Sequence, residues 1–200
     1  TQNLSSSDVS FHALREYVPG DDRRSVHWRT TARTGKLMVR QFEETMRAHL
    51  LILLSTVEND YATPEDFELA VSTAGSLGVS ALREERQVSL CTSTGEIPIP
   101  NAMGLLDRLA GVELREQGHD LRELALKYGS VPGVSVTAFI TGSSAPAALR
   151  SAQLALPPGV FPFAVRCLGH EELARRKVGD LVILDVPQLD DLRPAVRSLA

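Results

Sequence analysis

The stretch His49-Leu50-Leu51-Ile52-Leu53-Leu54 decides the fold of this chain. A uniformly apolar run of this length is typical of a strand that is covered on both faces of a parallel sheet. Soon afterwards, Thr63-Pro64-Glu65-Asp66 supplies an N-cap hydroxyl, a proline at the first helical position and acids near the positive end of a helix. The sequence therefore predicts a central strand and a helix that begins at Pro64.

The same alternation of strand and helix continues to the end of the chain. Apolar residues recur at three- and four-residue steps from Phe67 to Leu82, which predicts a helix whose apolar stripe faces the sheet. Further strands are predicted at 87–92, 134–140, 163–168 and 181–186, and further helices at 101–109, 120–128, 145–154 and 190–199. This alternation predicts an α/β fold of three layers, with a mostly parallel sheet and helices on both faces. In that architecture, sites lie beyond the carboxyl ends of the strands.

Composition limits the classes of function that the chain can have. Its 200 residues suit one domain with a small appendage, and 43% apolar with 23% charged residues is ordinary for a globular protein. The net charge of −4 argues against general affinity for nucleic acid, and no apolar run is long enough to insert into a membrane. Cys91 and Cys167 both lie in strand-like apolar runs, so we expect buried thiols in a reducing compartment such as the cytoplasm.

The first part of the chain has a different, irregular pattern. We divide the chain into an N-terminal segment, residues 1–44, and an α/β domain, residues 45–200. Within the segment, Pro19-Gly20 indicates a turn, and Asp21 and Asp22 are predicted to cap a short helix that ends at Gly35. Residues 36–42 alternate as a half-buried strand does. Trp28 is expected to anchor the core of this segment.

The N-terminal segment is also locally basic. Its candidate binding residues are Arg23, Arg24, His27, Arg29 and Arg33. One interpretation is a surface that binds an anion or an acidic partner, because guanidinium groups bind carboxylate and phosphate in pairs. The other is structural: Arg15, Arg29 and Arg40 pair with Glu16, Asp21, Asp22 and Glu43, and His27 forms packing hydrogen bonds beside Trp28.

Residues 14–43 read Leu-Arg-Glu-Tyr-Val-Pro-Gly-Asp-Asp-Arg-Arg-Ser-Val-His-Trp-Arg-Thr-Thr-Ala-Arg-Thr-Gly-Lys-Leu-Met-Val-Arg-Gln-Phe-Glu. This stretch closely resembles the signature of the domain-of-unknown-function-58 family. Members of that family look like von Willebrand factor A domains, are commonly anchored by hydrophobic segments upstream, and are often encoded beside MoxR-type AAA+ ATPases. The resemblance implies a protein-interaction module, with its N-terminal segment packed on the main domain, that works with such an ATPase at the inner face of the membrane through an upstream anchor.

The resemblance also implies where a metal ion would bind. Von Willebrand factor A domains hold a divalent ion through Asp-x-Ser-x-Ser after the first central strand, because a hard cation prefers carboxylate and hydroxyl oxygens. The aligned residues here are Ser55, Thr56, Val57, Glu58 and Asn59, and Gly142 stands where a second aspartate would lie. The loop at 55–59 is therefore a degenerate metal site, although Glu58 and Asp60 could supply oxygens in a shifted geometry. We expect no bound metal and no cofactor.

An enzyme is a further alternative. Cys91, His119 and Asp120 are the one set that could be assembled into a hydrolase site, yet they form no known motif, and Asp120 is more simply the cap of a helix. Thr92-Ser93-Thr94-Gly95 lacks the lysine and hydroxyl residue that follow in a phosphate-binding loop. We therefore expect no catalytic residues, with an anion-binding module as the alternative to a protein-interaction module.

Overall fold

A computed structural model describes residues 9–21, 24, 26–44 and 48–199. For residues 9–13 and 40–44 it describes the backbone but not the side chains. The chain divides into two compact units, Thr1–Met46 and Arg47–Ala200. We call them the N-terminal unit and the α/β unit. The boundary lies two residues beyond the one drawn from the sequence.

The N-terminal unit is a pair of antiparallel strands with a short helix between them. Strand β1 (Val9–Glu16) pairs with β2 (Met38–Glu44), and α1 (Trp28–Thr34) lies between them in the sequence. Gly35 ends α1 with φ at +70°, a conformation that glycine adopts without strain, and its N–H donates to the carbonyl of Thr31 at 2.9 Å. The sequence predicted the second strand and the end of the helix, but not β1.

Two predictions for this unit are wrong. Asp21 does not cap α1, because its carboxylate accepts hydrogen bonds from Arg15 and from the N–H of Val18, while Asp22 lies outside the described residues. The cap is His27, whose Nδ1 accepts from the N–H of Thr30. Trp28 does not anchor the core either: its side chain is 66% exposed, and no residue of α1 is buried. Val26 and Val39 are buried instead and bridge each other.

The α/β unit contains seven strands and five helices among the residues that the structure describes. The strands are β3 (His49–Leu54), β4 (Gln87–Thr92), β5 (Gly95–Ile97), β6 (Val134–Thr141), β7 (Phe161–Cys167), β8 (Ala174–Val178) and β9 (Leu181–Val186). The helices are α2 (Pro64–Arg83), α3 (Ala102–Leu109), α4 (Leu121–Tyr128), α5 (Pro146–Gln153) and α6 (Leu189–Arg197). None of the described helices is long and apolar enough to cross a bilayer.

The strands form one sheet in the order β5-β4-β3-β6-β7-β9-β8. Strands β4, β3, β6, β7 and β9 are parallel to one another, and the two edge strands are antiparallel to their neighbours. This confirms the mostly parallel sheet that the sequence predicts. The two edge strands were not predicted, because β5 has three residues and β8 reads Ala-Arg-Arg-Lys-Val, with no apolar run.

Helices cover both faces of the sheet, as the three-layer prediction requires. One face packs on α2, α3 and α6 through a cluster that includes Ile52 and Ile140. The other packs on α4 and α5 through a cluster that includes Leu53 and Phe139. Leu51–Leu54 are 0% exposed, because β3 is covered on both sides, and each of these side chains contributes about 2 kcal/mol through burial.

Capping residues that can be seen in the sequence fix the starts of two helices. Thr63 accepts a hydrogen bond from the N–H of Asp66 at 3.2 Å, and Pro64 occupies the first turn of α2. Asp120 and Glu123 form a reciprocal capping box at the start of α4. Both predictions are confirmed, and each cap satisfies backbone donors that the first helical turn leaves unpaired.

His49, the first residue of β3, makes the stability of the fold depend on pH. Its ring is buried, with Nε2 3.0 Å from the Ser89 hydroxyl. Burial lowers the pKa of His49, opposed in part by the backbone carbonyl of Pro132. The folded protein therefore binds a proton at His49 less readily than the unfolded chain does. The stability that the neutral His49 ring contributes is complete above about pH 6.5 and is lost as pH falls below it.

We expect His49→Gln to reduce the loss of unfolding free energy between pH 7.5 and pH 5.5. Urea unfolding of the wild type and the variant at both pH values measures it. His119→Gln is the matched control, because His119 is half exposed and contacts Glu123 at the surface. An equal pH dependence in wild type and His49→Gln would show that the buried imidazole does not drive the change.

Candidate functional site

The strand order places a candidate site at the carboxyl ends of β3 and β6. From β3 the chain crosses to β4 on one side, and it later returns to form β6 on the other side. A crevice normally opens where the direction of winding reverses in this way, and ligands bind there in open α/β sheets. The loop that follows β3 holds the residues from Ser55 to Asn59 that the sequence identified as a degenerate metal site.

The loop after β3 is closed by its own hydrogen bonds. Ser55 is fully buried and donates its hydroxyl to the carboxylate of Asp60. The hydroxyl of Tyr61 donates to the backbone carbonyl of Ser55 at 2.6 Å. Burial raises the pKa of Tyr61 well above its usual value, with smaller contributions from neighbouring acidic groups, so the phenol keeps the proton that it donates.

Gly142, at the end of β6, packs directly against that loop. A Cβ atom at this position would lie 2.6 Å from the carbonyl oxygen of Asp60 and 2.6 Å from Cδ1 of Tyr61. The next residue, Ser143, donates its N–H to the same Asp60 carbonyl at 2.7 Å. The place where the resemblance puts a second aspartate is therefore filled by the backbone and ring of the preceding loop.

The segment after α3 covers the adjoining space between β3 and β4. The N–H of Arg115 donates to the carbonyl of Thr56 at 2.8 Å, and the N–H of Glu58 donates to the carbonyl of Arg115 at 2.9 Å. The Ser93 hydroxyl accepts from the N–H of Thr56 at 3.0 Å, and its carbonyl accepts from His119 N–H at 2.9 Å. A strand-like bridge thus extends across the carboxyl edge of the sheet.

A row of buried polar side chains crosses the other half of the sheet. Thr141 pairs in register with Arg166, and Arg166 pairs with Asp185, on β6, β7 and β9. Their alternation with Ile140, Val165 and Leu184 directs them toward α4 and α5. The row therefore belongs to the interior of the protein.

The buried charges in this row are matched to each other. Arg166 Nε donates to Asp185 Oδ1 at 2.6 Å, and Asp185 is 0% exposed. Arg176 Nε lies 2.9 Å from the other oxygen of Asp185, in an ion pair too bent for a directed hydrogen bond. The hydrogen bond to Asp185 raises the pKa of Arg166, although burial opposes it. The negative charge of Asp185 and the positive charge of Arg166 therefore compensate each other inside the protein.

The residues present do not fit the metal site that the resemblance implies. Val57 has no oxygen in its side chain, Ser55 is engaged with Asp60, and the side chains of Glu58 and Asn59 are exposed. Among the described residues, no three histidines, cysteines or acids lie together in a way that could hold an ion. The carboxylate of Asp60 contacts the loop, and it already accepts the Ser55 hydroxyl.

The candidate binding residues of the N-terminal unit do not form an enclosed site. Arg29 and Arg33 are exposed and lie one turn apart on α1, and Arg24 is exposed as well. Arg23 lies outside the described residues. His27 is occupied as the helix cap, as its structural interpretation predicts. Of the predicted ion pairs, Arg15 does bind Asp21, through two contacts of 2.7 Å, and this lowers the pKa of Asp21.

The cysteine-based alternative lacks an accessible nucleophile. Cys91 and Cys167 are buried, and burial raises the pKa of each thiol to about 12. At pH 8, roughly one such thiol in ten thousand is ionised, and the thiolate is the reactive form. His119 contacts Glu123 at 3.1 Å, and Asp120 is a helix cap, so both are already occupied.

We expect native protein to show no labelling of either thiol by Ellman's reagent within an hour at pH 8. In guanidinium chloride both thiols should react at once, because unfolding exposes them. Cys91→Ala and Cys167→Ala each leave a single thiol and assign any signal to one position. Rapid labelling of native Cys91 would revive the hydrolase interpretation.

Sequence reasoning missed several residues that shape this edge of the sheet. Tyr61 was not singled out, and Asp66 was interpreted only as an acid near the positive end of a helix. Asp66 is in fact buried, and its Oδ1 accepts the N–H of Gly169, the second residue after β7, at 2.7 Å. A charge inside an apolar run was the available signal for Arg166 and Asp185, since charged residues are rarely buried unless they are paired.

Together, these features define an α/β domain in which loops close the carboxyl ends of β3 and β6, while a cavity of about 470 Å³ lies beside the end of β4. The chain belongs to the family described as "Protein of unknown function DUF58", whose model matches residues 13–112. It is also similar to the uncharacterized protein YeaD of Bacillus subtilis (strain 168), with 32% identity over 71 residues. The match covers 36% of this chain and 17% of that protein, so the chain spans a small part of its relative. No solved structure matches the chain.

Proposed function

We propose that the chain is a non-catalytic protein-interaction module that works without a metal ion. The observation that carries this proposal is the closure of the carboxyl ends of β3 and β6, where Gly142 packs on the backbone of Asp60 and the ring of Tyr61. A catalytic or metal site at that edge would need polar groups that face a ligand. Most of the groups described here are instead paired with one another, and the two buried oxygens without a hydrogen-bond partner, Oγ1 of Thr56 and Oδ2 of Asp66, do not face the solvent. This favours a role for the outer surfaces of the domain.

The partner that we propose is a MoxR-type AAA+ ATPase at the cytoplasmic face of the membrane. Membership of the family supports this choice, because the resemblance of residues 14–43 implies such an ATPase and an upstream membrane anchor. The proposal therefore places the chain as the part of a membrane-anchored protein that the ATPase contacts.

Binding of the purified ATPase to the immobilised chain tests the proposed partnership. We expect a dissociation constant in the micromolar range or below, which corresponds to at least about 8 kcal/mol of binding free energy. Removal of divalent ions from the chain by EDTA and desalting, before a nucleotide-free ATPase is added, should leave the affinity unchanged. No binding at 100 µM ATPase would contradict the partnership, and a need for ions on the chain would contradict the metal-free interaction.

The proposal also requires that divalent ions do not stabilise the chain, because an ion that binds the native state raises its unfolding temperature. Calorimetric titration of Mg²⁺, Mn²⁺ and Ca²⁺ should therefore give no binding heat, and thermal unfolding should not shift. Micromolar binding of any of the three would mean that Asp60 or Glu58 rebuilds an ion site.

The second candidate function is anion binding by the N-terminal unit, favoured by the exposure of Arg29 and Arg33 one helical turn apart. Phosphate-rich ligands should then bind in a salt-dependent way. Arg29→Glu with Arg33→Glu should abolish the binding, while Arg122→Glu on α4 should not. Absent or salt-insensitive binding would remove this candidate.

A further inference from the structure

We propose that a groove formed by α2, α3 and α6 binds an acidic amphipathic helix of a protein partner. This inference rests on the proposed interaction function and assigns a surface to it. The groove lies on one helical layer of the α/β unit, away from the α4 and α5 layer. It contains a cavity of about 550 Å³.

The groove is longer than this cavity alone. A second cavity of about 690 Å³ shares Ser76, Ser80, Leu189 and Arg193 with the first, so the two are continuous. Along α2 the lining extends from Val71 to Glu84. At 1.5 Å per residue, this distance of about 20 Å accommodates roughly 13 residues of a partner helix.

The sides of the groove carry exposed apolar side chains. Leu106 on α3 is 44% exposed and Leu189 on α6 is 40% exposed, and both line the cavity. Met103, one turn before Leu106 on α3, is 68% exposed. Large apolar side chains gathered at a concave surface are typical of a surface that a partner covers, because burial removes them from water.

The floor of the groove lets another helix approach closely. Helix α2 presents Ser72, Ser76 and Ser80 along one face, four residues apart, and all three are exposed. These small side chains leave space between α3 and α6 into which the apolar residues of a partner helix can insert. Recognition of an amphipathic helix in a groove uses this geometry.

The charge of the groove selects the class of partner. Arg83 and Arg193 line the first cavity, which no acid lines, while the second cavity adds Arg197 together with Glu84 and Asp190. The positive charge of the groove is therefore concentrated in the first cavity. Neither Arg83 nor Arg193 forms an ion pair with a residue that the structure describes. Since the whole chain carries a net charge of −4, this local positive charge is not a general property of the surface. Glutamates that flank the apolar face of a helix would complement it.

A designed peptide tests the groove directly. The probe is a fluorescent 15-residue helix with leucines at helical spacing and glutamates at the remaining positions, and the control peptide replaces every glutamate with lysine. We expect the acidic peptide to bind the 200-residue chain at least tenfold more tightly than the lysine peptide in fluorescence anisotropy. Equal affinities, or no binding of the acidic peptide at 200 µM protein, would overturn the proposal.

Variants then locate the binding. Ser76→Trp fills the groove at an exposed helical position and should weaken binding of the acidic peptide at least tenfold. The double variant Arg83→Glu with Arg193→Glu should weaken this binding by a similar factor. The matched controls are Ala148→Trp and Arg122→Glu, at exposed positions on α5 and α4, and they should bind as the wild type does. Circular dichroism confirms that each variant is folded. Equal weakening by the groove and control variants would overturn the assignment to this groove.

Further measurements distinguish a second copy of the chain from a partner helix in the groove, and the groove proposal from the proposed ATPase partnership. Sedimentation equilibrium of the wild type tests for self-association, and a dimer that Ser76→Trp dissociates would assign the groove to a second copy of the chain and overturn the proposal. If the ATPase binds while the acidic peptide does not, the groove is wrong and the proposed function stands. If the peptide binds in the groove but the ATPase does not bind the chain, the named partner is wrong and the groove stands.

Discussion

Replacing Asp185 with alanine is expected to lower the free energy of unfolding by about 3–5 kcal/mol. The substitution leaves the guanidinium of Arg166 buried, with the carboxylate that it contacts at 2.6 Å removed. Arg176, which is half exposed, can turn toward water, but the side chain of Arg166 is only 9% exposed and cannot. Urea unfolding followed by circular dichroism measures the loss.

Two further variants separate the charge from the packing. Asp107→Ala removes a carboxylate from an exposed position on α3 and should change stability by less than about 0.5 kcal/mol. Arg166→Met with Asp185→Leu removes both buried charges and should recover most of the loss, because apolar residues of similar volume often replace a buried pair without cost. If Asp185→Ala unfolds at the same urea concentration as the wild type, the pair is not a stabilising contact.

Replacing Gly142 with aspartate is expected to destabilise the protein by about 3 kcal/mol or more and to create no metal site. This change restores the type of residue that the resemblance places there, yet its Cβ would meet the Asp60 carbonyl and the Tyr61 ring at 2.6 Å. Overpacking a buried position costs about 1–3 kcal/mol, and an unpaired carboxylate adds the cost of desolvation. Thermal unfolding with and without Mg²⁺ checks both parts of the prediction.

Gly142→Ala isolates the steric contribution and should still destabilise, by about 1–3 kcal/mol. Gly111→Asp is the control, since Gly111 is exposed and its nearest neighbour to an added Cβ, the Arg108 carbonyl, lies 3.7 Å away. Wild-type stability in Gly142→Asp, together with an unfolding temperature that rises when Mg²⁺ is added, would show that the loop can open to accept an ion.

The fold could be predicted from the sequence because its central elements have strong local signals. The run of residues 50–54 is apolar at every position, as burial on both faces demands. Thr63 and Asp120 mark helix starts by hydrogen bonds within a few residues, and Pro64 does so by its fixed φ. The edge strands β5 and β8 lack such a signal, because one is only three residues long and the other is polar. The prediction that Trp28 is buried was wrong because a hydrophobic side chain is buried only where neighbouring residues form a core around it.

The candidate site could be predicted only in part. The sequence shows that Ser55, Val57 and Gly142 cannot supply the expected metal ligands. It does not show that Tyr61 and Asp60 fill the space, because that depends on contacts between residues about 80 positions apart. The groove of α2, α3 and α6 was also invisible, since three helices that are distant in the chain enclose it.

The positive charge of the edge strand β8 affects whether separate molecules can associate at high concentration. An edge strand offers unpaired backbone groups to any other extended chain, and strands of separate molecules can join there into aggregates. Arg175, Arg176 and Lys177 place three consecutive exposed cations on that strand. A second β8 aligned against it would bring like charges together, so sheet growth between molecules is disfavoured at this border. This edge strand, which the sequence alone did not reveal, therefore carries charges that oppose fibrous assembly.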